Sequence, residues 1–543
     1  MSEANNRSDP VTAGMPGGSR VLWAATLLLI VHAALCWVGR PPGIATRQDD
    51  SAYVLLAESL KQGGYEEIWH TDAAPQRRYP PVYPAALAVW GVVFGNGYDA
   101  LVVLSILCSV AALAISFAVV RRTFTPAIAV ASLAVLAVNP LVVQFGGSIA
   151  TEAPFSALLV LAVGLLARPD VSRARAGVVG AAAIAAALTR VAAIPIVIAV
   201  GLFWALERRW KRLGLFAAAT LATVGVWLVW SAAGPQRLVG RSYFMDLAAP
   251  EGWQAGPWSI LLRFGRKVPF YLGRGIPYAL ATPTVSDTQV DNMIAAGIVA
   301  ISLLIGVVVL LKRWRAAGLA LLAYACMLVV WPWSNERFLV PVMVLIVPSA
   351  LAGIAWLGRL RGPRTELAIV AITAVALTAA GAGKTASAAR LMLQCDRSGP
   401  MPPAACVKRD QGSYFAALDY IVKNTPEDAI FINLKPEPFY LYTGRKTLGV
   451  LSVTEEPGAF ANAARAAGAS YVLLGSLQAG EPRRLALQLE ASCSSLEFVE
   501  FFPARTYLFR IGSEVPEAVG QRACEAISRY RIANANRDFG RDP

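Results

Sequence analysis

From Val21 to Lys384 the chain alternates long apolar runs with short polar breaks. A bilayer span needs about 20 mostly apolar residues. Runs that reach or approach that length lie at 21–38, 99–120, 126–142, 153–167, 176–189, 191–206, 213–232, 292–311, 317–332, 339–357 and 366–382. The pattern predicts a mainly α-helical integral membrane protein with about 11 transmembrane helices. The stretch 83–95, YPAALAVWGVVFG, is apolar but shorter, and is expected to lie at or dip into the outer interface. Residues 1–19 are polar and read as a disordered cytoplasmic tail. No small-residue cleavage site follows the run 21–38, so it reads as a retained anchor.

Past Lys384 the pattern changes. Residues 385–543 are more polar, and short β-type runs alternate with helical ones. A helix is expected over SYFAALDYIVKNT, a strand over AIFINL, a further run at TLGVLSV, a helix over PGAFANAARAAGA and a strand over SYVLLG. LEFVEFF, TYLFRI and a final helix PEAVGQRACEAISRY follow. This alternation predicts a carboxyl-terminal α/β domain. The expected organisation is thus a tail over 1–19, a membrane domain over 20–384 and the α/β domain over 385–543, with no internal repeat.

Composition agrees with the pattern. The chain is 56% hydrophobic and only 15% charged, against about 25% charged in soluble domains. Its net charge of +14 does not point to nucleic acid, because the basic residues form short clusters between apolar runs. These are RR at 121–122, RPDVSRAR at 168–175, ERRWKR at 207–212, KRWR at 312–315 and GRLRGPR at 358–364. Such clusters mark cytoplasmic loops. Placing all of them inside orients every span consistently, with the amino terminus cytoplasmic and everything after Lys384 outside. Reading 176–206 as one bent span would put ERRWKR outside, and is rejected. The outer face then carries a loop over 39–98, a short loop over 144–154, a long loop over 233–290 and the turn WSNERF at 333–338.

Cys36, Cys108 and Cys326 fall in spans and read as apolar packers, whereas Cys395, Cys406, Cys493 and Cys524 lie in the outer domain. An even number in an oxidising compartment suggests disulfides. Of three connectivities, local pairing, Cys395–Cys406 and Cys493–Cys524, is preferred. The only histidines are His32, in a span, and His70, in a loop, and no metal-type Cys/His spacing occurs.

Ionisable groups thus gather at apolar–polar boundaries on one face: Asp49, Asp50, Glu152, Arg190 and Arg337. Such a gathering is a functional-site candidate, although each member has an ordinary alternative. An Asp is a favoured N-cap for the helix expected over 52–60. Adjacent residues on a helix point about 100° apart, so one acid can cap while the other faces a cavity. Asp49 and Tyr53, four apart, share a face, which favours Asp49 as the inward member. Arg77 and Arg78, in QRRYPPVYP, suit a phosphate or lipid headgroups equally. Glu152 sits where it can serve a helix dipole, and Arg190 and Arg337 can snorkel.

The order of these motifs resembles the GT-C superfamily of polytopic glycosyltransferases, in particular the group of lipid A aminoarabinose transferase and the protein O-mannosyltransferases. DDSAY at 49–53 is similar to that group's first-loop motif, and RYPPVYPAALAVWGVVFG at 78–95 to the segment closing the same loop. GSIATEAPF at 147–155 resembles its second acidic motif, and ERFLVPVMVLIVP at 336–348 its late Arg-aromatic motif. FYLYTGRK and AGASYVLLG resemble the exterior α/β domain. The resemblance implies a GT-C-like fold and a sugar carried on polyprenyl phosphate. It implies transfer of a single sugar, with inversion, to a cell-envelope glycan, lipid or protein at the outer face of a bacterial inner membrane. Asp49 becomes the general base and Asp50 a supporting acid, with Tyr53, Arg77, Arg78, Tyr79, Glu152, Arg190 and Arg337 around the donor. No cofactor is required; a divalent cation near the acids is compatible, since some members use one. Relatives specialised for aminoarabinose carry an acid and a lysine beside the loop prolines, where this chain has Arg78, Tyr79 and Pro80, so the sugar stays open. Three rival readings are a lipid or glycan flippase, which would favour paired repeats and midplane charges, a non-enzymatic assembly protein that binds through its exterior domain, and an oligosaccharide polymerase or ligase using a pyrophosphate-linked donor.

Overall fold

A helix that is apolar on all sides must meet lipid or be enclosed by other helices. The computed structural model of the chain contains both kinds. It describes residues 17–46, 49–168, 171–233, 257–281, 289–331, 333–395, 397, 401–448, 459–475, 477, 483–512 and 515–538. Most of the tail expected over 1–19, much of the outer loop 233–290, and the junction of TLGVLSV with PGAFANAARAAGA lie outside the described residues.

Among the described residues, six helices are long and apolar enough to cross a bilayer: Ser19–Val38, Tyr98–Thr123, Trp210–Ala232, Ala296–Arg313, Glu336–Arg359 and Pro363–Leu393. A bent pair, Pro126–Val138 and Pro140–Gly146, angled at 64°, makes a seventh if counted as one span. The expectation of about 11 is not met by this measure. The other runs form helices of 13 to 17 residues, Glu152–Leu165, Arg173–Thr189, Ile194–Leu206 and Arg315–Val330. At 1.5 Å per residue these rise about 20–25 Å, short of a hydrocarbon core about 30 Å thick. The last long helix also runs past the expected boundary at Lys384, to Leu393.

Leu22, Trp23, Leu27 and Ile30 on the first helix, and Leu215, Leu221, Val226 and Val229 on the Trp210–Ala232 helix, are exposed. Ile298, Ile301 and Leu304 are exposed likewise. Apolar surface on this scale is matched to lipid. By contrast, the Met343–Arg359 helix is buried along most of its length, at the centre of the bundle. Small residues let it approach its neighbour: a Cβ on Gly306 would stand 1.9 Å from the Ser349 carbonyl oxygen, and one on Gly353 1.9 Å from that of Ser302. Ser302 and Gly306, and Ser349 and Gly353, each lie four apart, the close-contact arrangement of membrane helices.

At the bend between Val138 and Pro140, the Asn139 side chain accepts from the amides of Leu141 (3.1 Å) and Val142 (3.2 Å) and donates to the Ala279 carbonyl (2.7 Å). It thereby caps a seven-residue helix that carries Phe145 to the Arg337 guanidinium.

The carboxyl-terminal residues form a four-stranded sheet, β1 (Phe431–Asn433), β2 (Tyr471–Leu474), β3 (Leu496–Phe502) and β4 (Thr506–Ile511), in the order β1-β2-β4-β3. β1 and β2 are parallel and the other pairs antiparallel. Alternation sends Phe431, Leu473 and Leu508 to the Arg409–Asn424 helix on one face. Val472, Leu474 and Phe509 go to the Phe460–Ala466, Arg483–Ala491 and Glu517–Asp538 helices on the other. Disulfides join Cys395 to Cys406 and Cys493 to Cys524. The buried Arg445 donates to the carbonyls of Val422, Thr425, Pro426 and Thr443, closing the end of the Arg409–Asn424 helix.

This layer rests on the loop expected over 39–98. The Thr447 amide donates to the Trp69 carbonyl (2.9 Å), the Thr71 amide to the Thr447 carbonyl (3.0 Å), and the Tyr442 hydroxyl to the Ile44 carbonyl (2.8 Å). His70 is buried in the same seam, its Nδ1 2.9 Å from the Thr447 hydroxyl. The Pro436–Thr443 helix packs on the Asp50–Lys61 helix, which brings the end of β1 over the first-loop acids.

Candidate active site

Helix ends assemble the site. Asp49 occupies the N-cap position of Asp50–Lys61, yet its side chain makes no capping bond. Glu152 opens Glu152–Leu165, and Arg190 follows the last residue of Arg173–Thr189. Arg337 lies in a short 3-10 turn, Glu336–Val342, whose entry is fixed by the Asn335 side chain accepting from the Arg337 amide (2.8 Å).

The four side chains form one chain of ion pairs. Glu152 Oε1 accepts from both Arg337 Nε and Arg190 Nη1, and Arg337 Nη1 reaches Asp49 Oδ2 at 3.2 Å. Arg190 also donates to the Thr151 hydroxyl (3.1 Å). The Phe145 ring lies 5.4 Å from the Arg337 guanidinium, and the Phe338 ring 5.4 Å from that of Arg190, distances at which an aromatic face attracts a cation. Neither arginine snorkels to water: the side chains of Glu152, Arg337 and Arg190 keep 0%, 8% and 15% exposure. Asp49 keeps 28%. It is the open carboxylate of the set.

Asp49 Oδ1 accepts from the Tyr79 hydroxyl at 3.1 Å. Burial works to raise the Asp49 carboxyl, but Arg337, Lys435, Arg78 and Arg190 together outweigh it and hold it below its ordinary value. Asp50 takes a different task. It is buried, and its Oδ1 accepts from the Ser51 amide (2.9 Å) in the first turn of the helix. Tyr53 is buried edge-on between Tyr79 and Tyr83, with ring centroids at 5.3 and 5.1 Å, and so supports the ring that holds Asp49.

The two loop arginines part company. Arg77 donates to the Trp230 carbonyl (2.8 Å) and lies over its ring at 4.0 Å, tying the loop to the Trp210–Ala232 helix. Arg78 stays beside Tyr79, 6.0 Å from its ring centroid, and acts on Asp49.

Sequence reasoning missed Lys435 and Glu437. Lys435 acts electrostatically on Asp49 from the turn joining β1 to the Pro436–Thr443 helix, and Glu437, in the first turn of that helix, feels the Asp49 charge. The signal was present in LKPEP, two opposite charges on a strand-to-helix turn, where site residues commonly sit. Burial raises the Glu437 carboxyl, and the nearby Asp49 charge adds to it. Among the described residues, no group of three or more His, Cys, Asp or Glu side chains could hold a metal ion.

Comparison with known proteins bears on the fold. A family profile described as dolichyl-phosphate-mannose-protein mannosyltransferase matches residues 78–233. No curated protein sequence matches the chain. Among solved structures, ArnT from Cupriavidus metallidurans in the apo state is similar at a TM-score of 0.56 and 16% identity, over 91% of this chain and 98% of that one. ArnT bound to undecaprenyl phosphate gives 0.52 and 15%, over 92% and 99%. The Archaeoglobus fulgidus oligosaccharyltransferase AglB, in complex with an inhibitory peptide and a dolichol-phosphate, gives 0.54 and 13%, over 94% and 77%. These structural matches show that the chain shares the fold of ArnT and AglB.

Proposed function

We propose that the chain is a membrane glycosyltransferase. It moves a single sugar from a polyprenyl-phosphate donor to a cell-envelope acceptor at the outer face of a bacterial inner membrane. The observation that carries this reading is the ion-pair chain from Asp49 through Arg337 and Glu152 to Arg190, with Asp49 as its open end. The undecaprenyl phosphate and dolichol-phosphate bound in ArnT and AglB supply the donor class. In the topology we favour, the amino terminus is cytoplasmic, the shorter helices complete about 11 spans, and the α/β layer is extracytoplasmic.

A lipid-linked sugar keeps its tail in the bilayer and presents its phosphate at the interface. The acceptor hydroxyl attacks the anomeric carbon as the bond from that carbon to the phosphate oxygen breaks, and the configuration inverts. Asp49 accepts the hydroxyl proton, help typically worth about 10²–10⁴ in rate. Held low by its cations, Asp49 is ionised at neutral pH but a weak base, which suits a displacement in which the hydroxyl acidifies late. Arg337 and Arg190, already oriented by Glu152, supply fixed positive charge where the leaving phosphate gains negative charge. Arg78 adds to it from the loop side. The reaction requires no cofactor; a divalent cation there would compete with Arg337 for the Asp49 carboxylate.

The test is turnover by the full-length protein given radiolabelled sugars on undecaprenyl monophosphate or pyrophosphate, with envelope extract as acceptor. The reading expects label transfer and release of lipid monophosphate from the monophosphate donor alone. Use of only the pyrophosphate donor would make the chain an oligosaccharide ligase, and release from neither would overturn the glycosyltransferase reading.

A further inference from the structure

In a continuous helix the carbonyls of Ala137 and Val138 would accept from the amides of residues 141 and 142. At the break both amides turn instead to Asn139 Oδ1. Two buried carbonyls thus lose their helical donors, and each finds a new one on a different long helix. His32, fully buried on the Ser19–Val38 helix, donates from Nδ1 to the Ala137 oxygen (2.9 Å). Because a carbonyl only accepts, Nδ1 carries the proton. Its Nε2 lies 2.8 Å from the Ser109 hydroxyl on the Tyr98–Thr123 helix. The Thr385 hydroxyl, on the Pro363–Leu393 helix, donates to the Val138 oxygen (2.8 Å).

The first helix also holds the far end of the bent segment. Cys36 stands one turn along from His32. A Cβ on Gly146 would lie 2.8 Å from the Cys36 Sγ, and one on Gly147 2.3 Å from the Cys36 carbonyl oxygen. The Pro140–Gly146 helix is therefore gripped at both ends, and between the grips it carries Phe145 to the Arg337 guanidinium. Packing around that ring is incomplete, since a cavity lined by Val142, Phe145, Gly146, Ala153 and Val340 adjoins it. The two ends of the segment, more than side-chain packing, set where the ring lies.

We infer that His32 is a positioning residue for the reaction: acting through the break at Asn139, it sets the Pro140–Gly146 helix and with it the Phe145 ring that orients Arg337. The inference rests on the glycosyltransferase reading and deepens it. Glu152 and Asp49 hold the Arg337 guanidinium along its edge, and Phe145 limits how far it can tilt. An ionisable side chain within a membrane span is rare and marks function by default. Here its task is to supply the donor that a broken helix requires.

The test is single-turnover transfer by full-length protein in lipid nanodiscs, with a radiolabelled sugar on undecaprenyl phosphate and envelope extract as acceptor. A smaller folded fraction lowers the amplitude of that reaction and leaves its rate constant unchanged, so the rate constant separates positioning from stability. His32→Leu removes the donor to Ala137 and should lower the rate constant about tenfold or more. His32→Asn keeps a donor at the Nδ1 position and should stay within about threefold of the wild type. Phe145→Leu should itself be slower, and adding His32→Leu to it should cost less than about twofold further, because both changes act through one path. If His32→Leu does not fold, Thr385→Val, which frees the Val138 carbonyl, takes its place in the same cycle with the same expectation. A wild-type rate constant in the single variant, or an equal loss in both backgrounds, would overturn this inference and leave the glycosyltransferase reading standing. A wild type that transfers no sugar would overturn both.

Discussion

Asp49 stands between two unlike halves of one site. On the bundle side Glu152, Arg190 and Arg337 have given up nearly all their water for each other, with aromatic rings against both guanidinium groups. On the outer side Arg78 comes from a loop, Lys435 from a turn and Glu437 from the first turn of the helix that follows, and the two cations act on Asp49 by charge. Burying an ion costs several kcal/mol, recovered only when its partners are well placed. The bundle half meets that condition and is therefore scaffold: it fixes where Arg337 points, and so where the Asp49 carboxylate sits. The outer half is where a ligand can replace existing contacts without leaving a bare charge in the core. In the proposed reaction proton transfer falls to Asp49, the residue at the boundary, held ionised by cations from both halves.

The largest effect that can break this comparison is on folding. Glu152→Ala would leave Arg190 and Arg337 buried without the carboxylate they share, with only Asp49 still paired to Arg337, at a cost of about 3–5 kcal/mol. Thermal unfolding in detergent should show a strongly lowered midpoint, whereas a midpoint near that of the wild type would remove the scaffold role. For the same reason Arg337→Ala would mix a loss of donor binding with a loss of stability, since it removes one of the two cations paired with Glu152.

A smaller effect concerns pH. A carboxyl depressed in the folded protein contributes above its unfolded value, and that contribution is lost as the pH falls through the folded value. The acid limb of kcat/KM due to Asp49 should thus lie below the ordinary carboxylate value of about 3.9. Arg78→Gln removes one of the cations responsible and should move the limb upward, by about one unit at most. A limb that moves downward, or a wild-type limb midway between pH 5 and 7, would contradict the assignment.

The smallest effect sharpens the distinction between the paired acids. Asp50 bonds the Ser51 amide, a task an amide oxygen also performs. Asp50→Asn should cost about 1 kcal/mol or less in stability and leave the rate within a few-fold. A hundredfold loss of rate would transfer catalytic weight from Asp49 to its neighbour.

Some of this was legible in the chain. β3 and β4 follow LEFVEFF and TYLFRI residue for residue, because alternation is local information. The apolar runs became helices for the same reason. Their number of crossings did not follow, because 13 to 17 residues suffice for a helix packed inside a bundle as well as for part of a span. Asp49, Glu152, Arg190 and Arg337 stood out as charges at the ends of apolar runs, whereas their pairing depends on helix packing across most of the chain. Arg77 and Arg78 are indistinguishable in sequence, yet only the position of Trp230 sends one of them away. Lys435 and Glu437 were hidden most fully. LKPEP marks a strand-to-helix turn but not what that turn faces, and only the docking of the α/β layer on the first loop brings them to Asp49.

The account is tested most directly by single-turnover transfer from an undecaprenyl-phosphate-linked sugar, comparing the wild type with Asp49→Asn at matched thermal stability and donor affinity. An asparagine keeps the shape and the Tyr79 contact but cannot take the proton, so the rate should fall about 10²–10⁴-fold while donor binding persists. Transfer within a few-fold of the wild type would contradict the central claim that Asp49 is the base.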